Sequence, residues 1–184
     1  VHIGSAKSID IGYNQISSCR RSGISLWTAS ECKIHHNHIN HVALEFKDVA
    51  AGIYVNVLSR GIAIEDNRIH DICLLDHPEG APSKAIYLDY DVNANIAVRR
   101  NVIYELAPGV KSVKLGGRGV TYQHNILDNR GNRGAYAKLQ FWGGSNSIRW
   151  VPWLIGQETW DKNMRIQGNV FLADSPSDGD FMHF

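Results

Sequence analysis

No stretch of this sequence stays apolar for the ~20 residues that would span a bilayer, so no membrane helix is expected. An excess of one charge is also missing. Lys and Arg number 19, Asp and Glu 18, and the formal charge is +1. So even a balance argues against nucleic acid or an anionic membrane surface as the main partner. Cysteine is scarce and odd in number. Cys19, Cys32 and Cys73 make no disulfide framework and no Cys-x-x-Cys zinc motif, and read as buried thiols. A helical stripe is absent from every window of about 11 residues. There is no secretory signal and no Met at Val1. What remains is an ordinary soluble mix, 43% hydrophobic and 20% charged in 184 residues, enough for one domain with a sizeable core.

What the sequence does have is repetition. An apolar alternation is followed by Asn and then by an apolar residue two positions later. The unit appears as Ile9-Asp10-Ile11 with Asn14 and Ile16, then as Cys32-Lys33-Ile34 with Asn37 and Ile39. It recurs as Ile62-Ala63-Ile64 with Asn67 and Ile69, and as Ile96-Ala97-Val98 with Asn101 and Ile103. Val120-Thr121-Tyr122 with Asn125 and Leu127, and Met164-Arg165-Ile166 with Asn169 and Phe171, complete the series. The shortest steps, Asn14 to Asn37 and Asn101 to Asn125, set a period of roughly 23 residues. Longer steps mean loops inserted at particular corners.

A second alternating segment precedes several units: Gly23-Ile24-Ser25-Leu26, Gly52-Ile53-Tyr54-Val55, Ala85-Ile86-Tyr87-Leu88 and Ser112-Val113-Lys114-Leu115. Each turn of the chain thus holds three short strands of period two, one face in and one out. The expected fold is all-β: a right-handed parallel β-helix, a solenoid of about six three-strand rungs. The repeated Asn is expected to stack in register as an inward ladder, each amide bonding the next.

One domain covers residues 1–184. Residues 1–136 form regular rungs with insertions near 43–51 and 74–84, and residues 137–184 are aromatic-rich last rungs or closing loops. Val1 begins almost at a strand with no capping helix before it, so the remainder of a longer chain is expected as a neighbour.

The runs His36-Asn37-His38-Ile39-Asn40-His41-Val42, Ala51-Gly52-Ile53-Tyr54-Val55, Asp66-Asn67-Arg68-Ile69-His70-Asp71 and Ala85-Ile86-Tyr87-Leu88-Asp89 resemble the right-handed β-helix proteins related to glycoside hydrolases and polysaccharide lyases. The resemblance covers at least Ile9 to Leu127. Lys114-Leu115-Gly116-Gly117-Arg118 is similar to the Gly-rich stretch after the Leu-Asp strand of many such enzymes. It implies a carbohydrate-active protein that is secreted, periplasmic or on the cell surface. The scaffold alone does not fix the reaction, because it carries hydrolases, lyases, epimerases and binding proteins.

Aligning the rungs gives columns. Ile24, Ile53, Ile86 and Val113 point inward, as do Leu26, Val55, Leu88 and Leu115. Ser25, Tyr54, Tyr87 and Lys114 point outward, followed by Trp27, Asn56, Asp89 and Gly116. On that face Trp27, Tyr54 and Tyr87 offer flat surfaces for sugar rings. Asn56, Lys114, Arg118 and His77 offer polar contacts. Asp89 is the first choice of catalytic carboxylate, by resemblance to the Leu-Asp strand; Asp91, Glu45 and Glu79, and Asp71 and Glu105 in the neighbouring column beside His70, are candidate partners, because hydrolysis needs two carboxyl groups. The insertions at 43–51 and 74–84 would wall this face, where function usually sits.

Elsewhere, Glu65 beside Arg99 reads as an exposed ion pair. His35, His36, His38 and His41 lack an obvious completing carboxylate, and no metal site is assigned. The leading expectation is a glycoside hydrolase acting on a polysaccharide or oligosaccharide, without a cofactor. A polysaccharide lyase or epimerase, with Ca²⁺ as an aid and Lys114, Arg118, Tyr87 or His77 as base, is the second. A non-catalytic carbohydrate-binding or structural segment is the third.

Overall fold

The computed structural model describes residues 1–44, 50–73, 83–89, 93–107, 110–128, 130, 139–142, 164–172 and 182–183. Its strands wind through three parallel sheets. The first holds seven strands in the order β1 (His2–Gly4), β4 (Ile24–Trp27), β7 (Ala51–Val55), β10 (Lys84–Leu88), β13 (Lys111–Gly116), β16 (Leu139–Trp142) and β19 (Met182–His183). The second holds six: β2 (Asp10–Gly12), β5 (Lys33–His35), β8 (Ala63–Glu65), β11 (Ala97–Arg99), β14 (Thr121–Gln123) and β17 (Arg165–Gln167). The third holds β3 (Gln15–Ile16), β6 (His38–Ile39), β9 (Arg68–His70), β12 (Val102–Tyr104), β15 (Ile126–Asp128) and β18 (Val170–Leu172). Among the described residues there is no helix.

The expected inward columns are the observed register. Ile24 pairs with Ile53, Ile53 with Ile86, and Ile86 with Val113. Ile11, Ile34, Ile64, Val98, Tyr122 and Ile166 stack in the second sheet. Ile16, Ile39, Ile69, Ile103, Leu127 and Phe171 stack in the third. These side chains fill one continuous core. β-Branched residues dominate it because a flat stacked strand gives them a well-packed neighbour above and below. The core contains one anomaly: the Tyr122 hydroxyl is buried without a hydrogen-bond partner, and burial raises its pKa.

The asparagines form the ladder expected of them. Asn14 Nδ2 donates to Asn37 Oδ1 at 2.9 Å, Asn37 to Asn67 at 3.0 Å, and Asn67 to Asn101 at 3.0 Å. Asn101 donates to Asn125 at 3.0 Å and Asn125 to Asn169 at 3.1 Å. Each acceptor oxygen also takes the backbone N–H of the Asn before it. The second proton of the amide goes back to a strand carbonyl, as from Asn67 to Ile34 O at 2.9 Å. The residue before each ladder Asn is left-handed: Tyr13, His36, Asp66, Arg100 and His124 have φ of 60, 52, 56, 55 and 55°. Side chains rarely adopt that conformation, and here the ladder holds it in rung after rung. The corner has the same length in all six rungs, from Gly12 to Gln15 through Gln167 to Val170.

The corner from third to first sheet varies. Its flanks run from Tyr104 to Lys111 in one rung and from His70 to Lys84 in another. The inserted residues therefore fall, in sequence, just before strands of the first sheet.

Candidate functional site

On the outer face of the first sheet, Ser25, Tyr54, Tyr87 and Lys114 stack in register. Ala51, Tyr54 and Tyr87 form a small apolar cluster separate from the main core. Tyr54, Tyr87, Asp89 and Lys114 retain 3, 5, 5 and 7% of their surface. The two tyrosines are therefore not open platforms for sugar rings. Their rings meet at 45° with centroids 5.2 Å apart. Trp27 is the exposed member; it stands edge-on to Tyr54 and donates Nε1–H to Ser25 Oγ at 3.0 Å.

Two polar pairs occupy this buried face. Tyr54 Oη donates to Asp89 Oδ2 at 2.8 Å. Lys114 Nζ donates to Tyr87 Oη at 3.1 Å, over the ring whose centroid lies 4.6 Å away. The ammonium of Lys84 lies 4.2 Å from that same centroid. Lys84 is 1% exposed, and strand alternation concealed its role, since it shares parity with the inward Ile86 and Leu88. Among the described residues Asp89 is the one carboxylate in these outer columns.

The other expected members take different roles. Asn56 spends its carbonyl on the next backbone N–H, that of Val57, at 2.6 Å. Arg118 does not stand in the outer column. It follows β13 in an isolated bridge with Ala94, its N–H donating to Asn93 O at 2.8 Å. Gly117 turns the chain there with φ 119°, and a Cβ would lie 2.8 Å from Asn93 O. Asp91, Glu45, Glu79 and His77 lie outside the described residues. Asn93, which the sequence did not single out, anchors Asp89: its Nδ2 donates to Asp89 O, and its Oδ1 accepts from Ser59 N–H at 2.9 Å.

Glu65 is not an exposed partner of Arg99. It is 6% exposed, and each of its oxygens takes a guanidinium, from Arg99 and from Arg100, both at 2.7 Å. The left-handed turn at Arg100 returns its side chain to the same carboxylate and to Asp66 at 2.8 and 2.9 Å. Burial pushes Glu65 toward the neutral acid, but the two guanidinium bonds together hold its pKa below the usual range. The Arg100 bond outweighs burial and does the same for Asp66.

The histidines divide into two groups. His35 bonds Asp10 at 2.7 Å through Nε2 and His36 at 2.9 Å through Nδ1. His38 Nε2 lies 2.7 Å from His70 Nε2, and burial, then His70 and Arg68, lower its pKa. His70 Nδ1 is 3.0 Å from Asp71 Oδ2 and 4.0 Å from Glu105 Oε2. Asp71 and Glu105 border a cavity of about 350 Å³ with His41, Cys73 and Arg130. A second, of about 590 Å³, runs over Arg68, Arg100, Tyr104 and Asp128.

Three parallel sheets wound around one core, locked by an internal asparagine ladder, define the parallel β-helix class. The chain belongs to the right-handed β-helix family, whose model, described as a right handed beta helix region, matches residues 1–149. A search of curated proteins and a search of solved structures each return no match.

Proposed function

We propose that the chain is part of a carbohydrate-active β-helix that works on a polysaccharide by glycoside hydrolysis at the outer face of the first sheet. The observation carrying this reading is Asp89, a carboxylate at the end of β10, one oxygen held by Tyr54 and its backbone held by Asn93. A carboxyl group so fixed cannot rotate away from a reacting centre, and fixed geometry is what acid–base or nucleophilic catalysis requires. Asp91 or Glu45 would supply the second carboxyl group, roughly 5 Å away for retention or 6.5–9.5 Å for inversion. Trp27, the exposed aromatic beside the site, is the ring a sugar would meet first. The reading carries with it an extracytoplasmic location and a mechanism without a cofactor.

One observation favours a second reading, β-elimination on a uronate polymer. Lys114 and Lys84 gather around Tyr87, and elimination needs cations for the uronate carboxylate and a base for the C5 proton. One experiment separates the two. Asp89→Asn keeps the shape and removes the charge. Under hydrolysis it should lower kcat about 10²-fold or more with KM little changed, read by reducing-end assay on a polysaccharide panel. Full activity in the variant would sink the role of Asp89. An ultraviolet-absorbing unsaturated product would replace hydrolysis by elimination, and binding without turnover would leave a carbohydrate-binding segment.

A further inference from the structure

We propose a divalent transition-metal site at the corner leaving the third sheet, with His70 Nδ1 and the carboxylates of Asp71 and Glu105 as ligands and His38 as their support. The donor atoms of the three residues lie within 4.8 Å of one another. Zinc bonds of about 2.0–2.2 Å in tetrahedral array place neighbouring donors about 3.3–3.6 Å apart. The observed 3.0 Å from His70 Nδ1 to Asp71 and 4.0 Å to Glu105 straddle that spacing, within reach of a small rotation of two exposed carboxylate side chains.

Backbone geometry explains the convergence. Adjacent residues on a strand point to opposite faces, so His70 and Asp71 would normally diverge. Asp71 has φ 49° and Glu105 φ 48°, and Asp71 N–H donates to Glu105 O at 3.1 Å. The left-handed turn swings Asp71 back toward His70, and the rung stacking sets Glu105 beside it.

The imidazole is held as a ligand needs to be. Tyr104 stacks on the His70 ring at 4.6 Å and 22°. His70 Nε2 faces His38 Nε2 at 2.7 Å. With a cation on Nδ1, His70 carries its proton on Nε2 and donates it to His38, the outer hydrogen bond that fixes the tautomer of metal-bound histidines. Only the side chain of His70 is largely buried, at 12% exposure. The carboxylates open onto the cavity of about 350 Å³, which gives the ion its entry path. An imidazole with two carboxylates suits Zn²⁺ and its first-row neighbours better than Ca²⁺, which takes oxygen ligands alone. The site stands on the third sheet and is independent of the reaction proposed for the first.

Calorimetric titration of chelator-treated protein with Zn²⁺ tests the proposal. One site per chain is expected, weakened about tenfold or more by Glu105→Gln and by Asp71→Asn, and about 10- to 100-fold by His38→Phe, with β-sheet circular dichroism unchanged. Zinc affinity within twofold of the parent in both carboxamide variants, or no single-site binding by the parent, overturns it. A titration of the unmutated chain with Co²⁺, followed by histidine ring NMR, needs no variant to fold. The His70 and His38 signals should be perturbed first, and earlier perturbation of His35 and His36 would overturn the assignment.

Discussion

The corner between the second and third sheets and the corner between the third and first solve one problem in opposite ways. Both must turn the chain by a third of a rung. The first does so identically each time, with a left-handed residue followed by an asparagine whose amide is fully engaged. The second lets its length change from rung to rung. A buried polar group fixes length, because any added residue would strip partners from the amides above and below. The corner from third to first sheet carries no such amide ladder among the described residues, and extra chain costs little there, about 0.6 kcal/mol per doubling of loop length. The candidate chemistry follows the tolerant corner: Asp89 follows a strand that this corner leads into, and the His70 cluster stands where the chain leaves the third sheet.

The sharpest way to break this contrast is at the ladder. Asn101→Ala removes the acceptor of Asn67 and the donor to Asn125 and Ile64 O. It should cost about 3–5 kcal/mol, since several buried groups lose partners at about 1–3 kcal/mol each. Urea unfolding reads it. A Gly-Ser insertion after Asn37 should be at least as damaging, and the same insertion after Arg20, in the variable corner, should barely move the midpoint. Equal sensitivity at the two places would erase the distinction.

Acid should weaken the flank of the Asn corner next. The folded pKa values of Glu65 and Asp66 are depressed, so their stabilisation is present above the unfolded values and is lost as pH falls through the folded ones. Unfolding midpoints should therefore drop on going from about pH 6 to about pH 3, below the ordinary carboxylate range. Glu65→Gln should flatten that slope, and an unchanged slope would show that the guanidinium network does not set it.

The smallest effect has the opposite sign. Tyr122→Phe deletes a buried hydroxyl without a partner and keeps the ring in its column. Relief of an unpaired buried group is worth up to about 1 kcal/mol net, so the thermal midpoint should hold or rise. A clear loss would mean that the hydroxyl contributes to the core.

What was legible in the sequence is what recurs. Asn37, Asn67, Asn101 and Asn125 announced their ladder because the same frame returned in each rung, and Ile24, Ile53, Ile86 and Val113 announced the inner face by alternation. Single occurrences stayed hidden. Asn93 and Lys84 each act in one rung, so no periodicity marks them. Burial of Tyr54 and Tyr87 was also out of reach, since parity tells out from in but not what covers the outside. The pairing of Glu65 with Arg99 was legible, but the burial of Glu65, its second guanidinium from Arg100 and the convergence of Asp71 on His70 were missed for a shared reason. Alternation assumes that neighbours diverge, and the left-handed residues Arg100 and Asp71 bring neighbours together.

The ladder also has a direction. Each asparagine side chain from Asn14 to Asn125 donates to the next, and each from Asn37 to Asn169 accepts from the one before, so the amide dipoles of the ladder point the same way along the axis. Reversing any one of them would set oxygen against oxygen on one side and nitrogen against nitrogen on the other. The row therefore behaves as a phase lock. Each new coil inherits its orientation from its predecessor, and whatever length of chain has looped out in between, the winding returns to the same mark before the next coil begins.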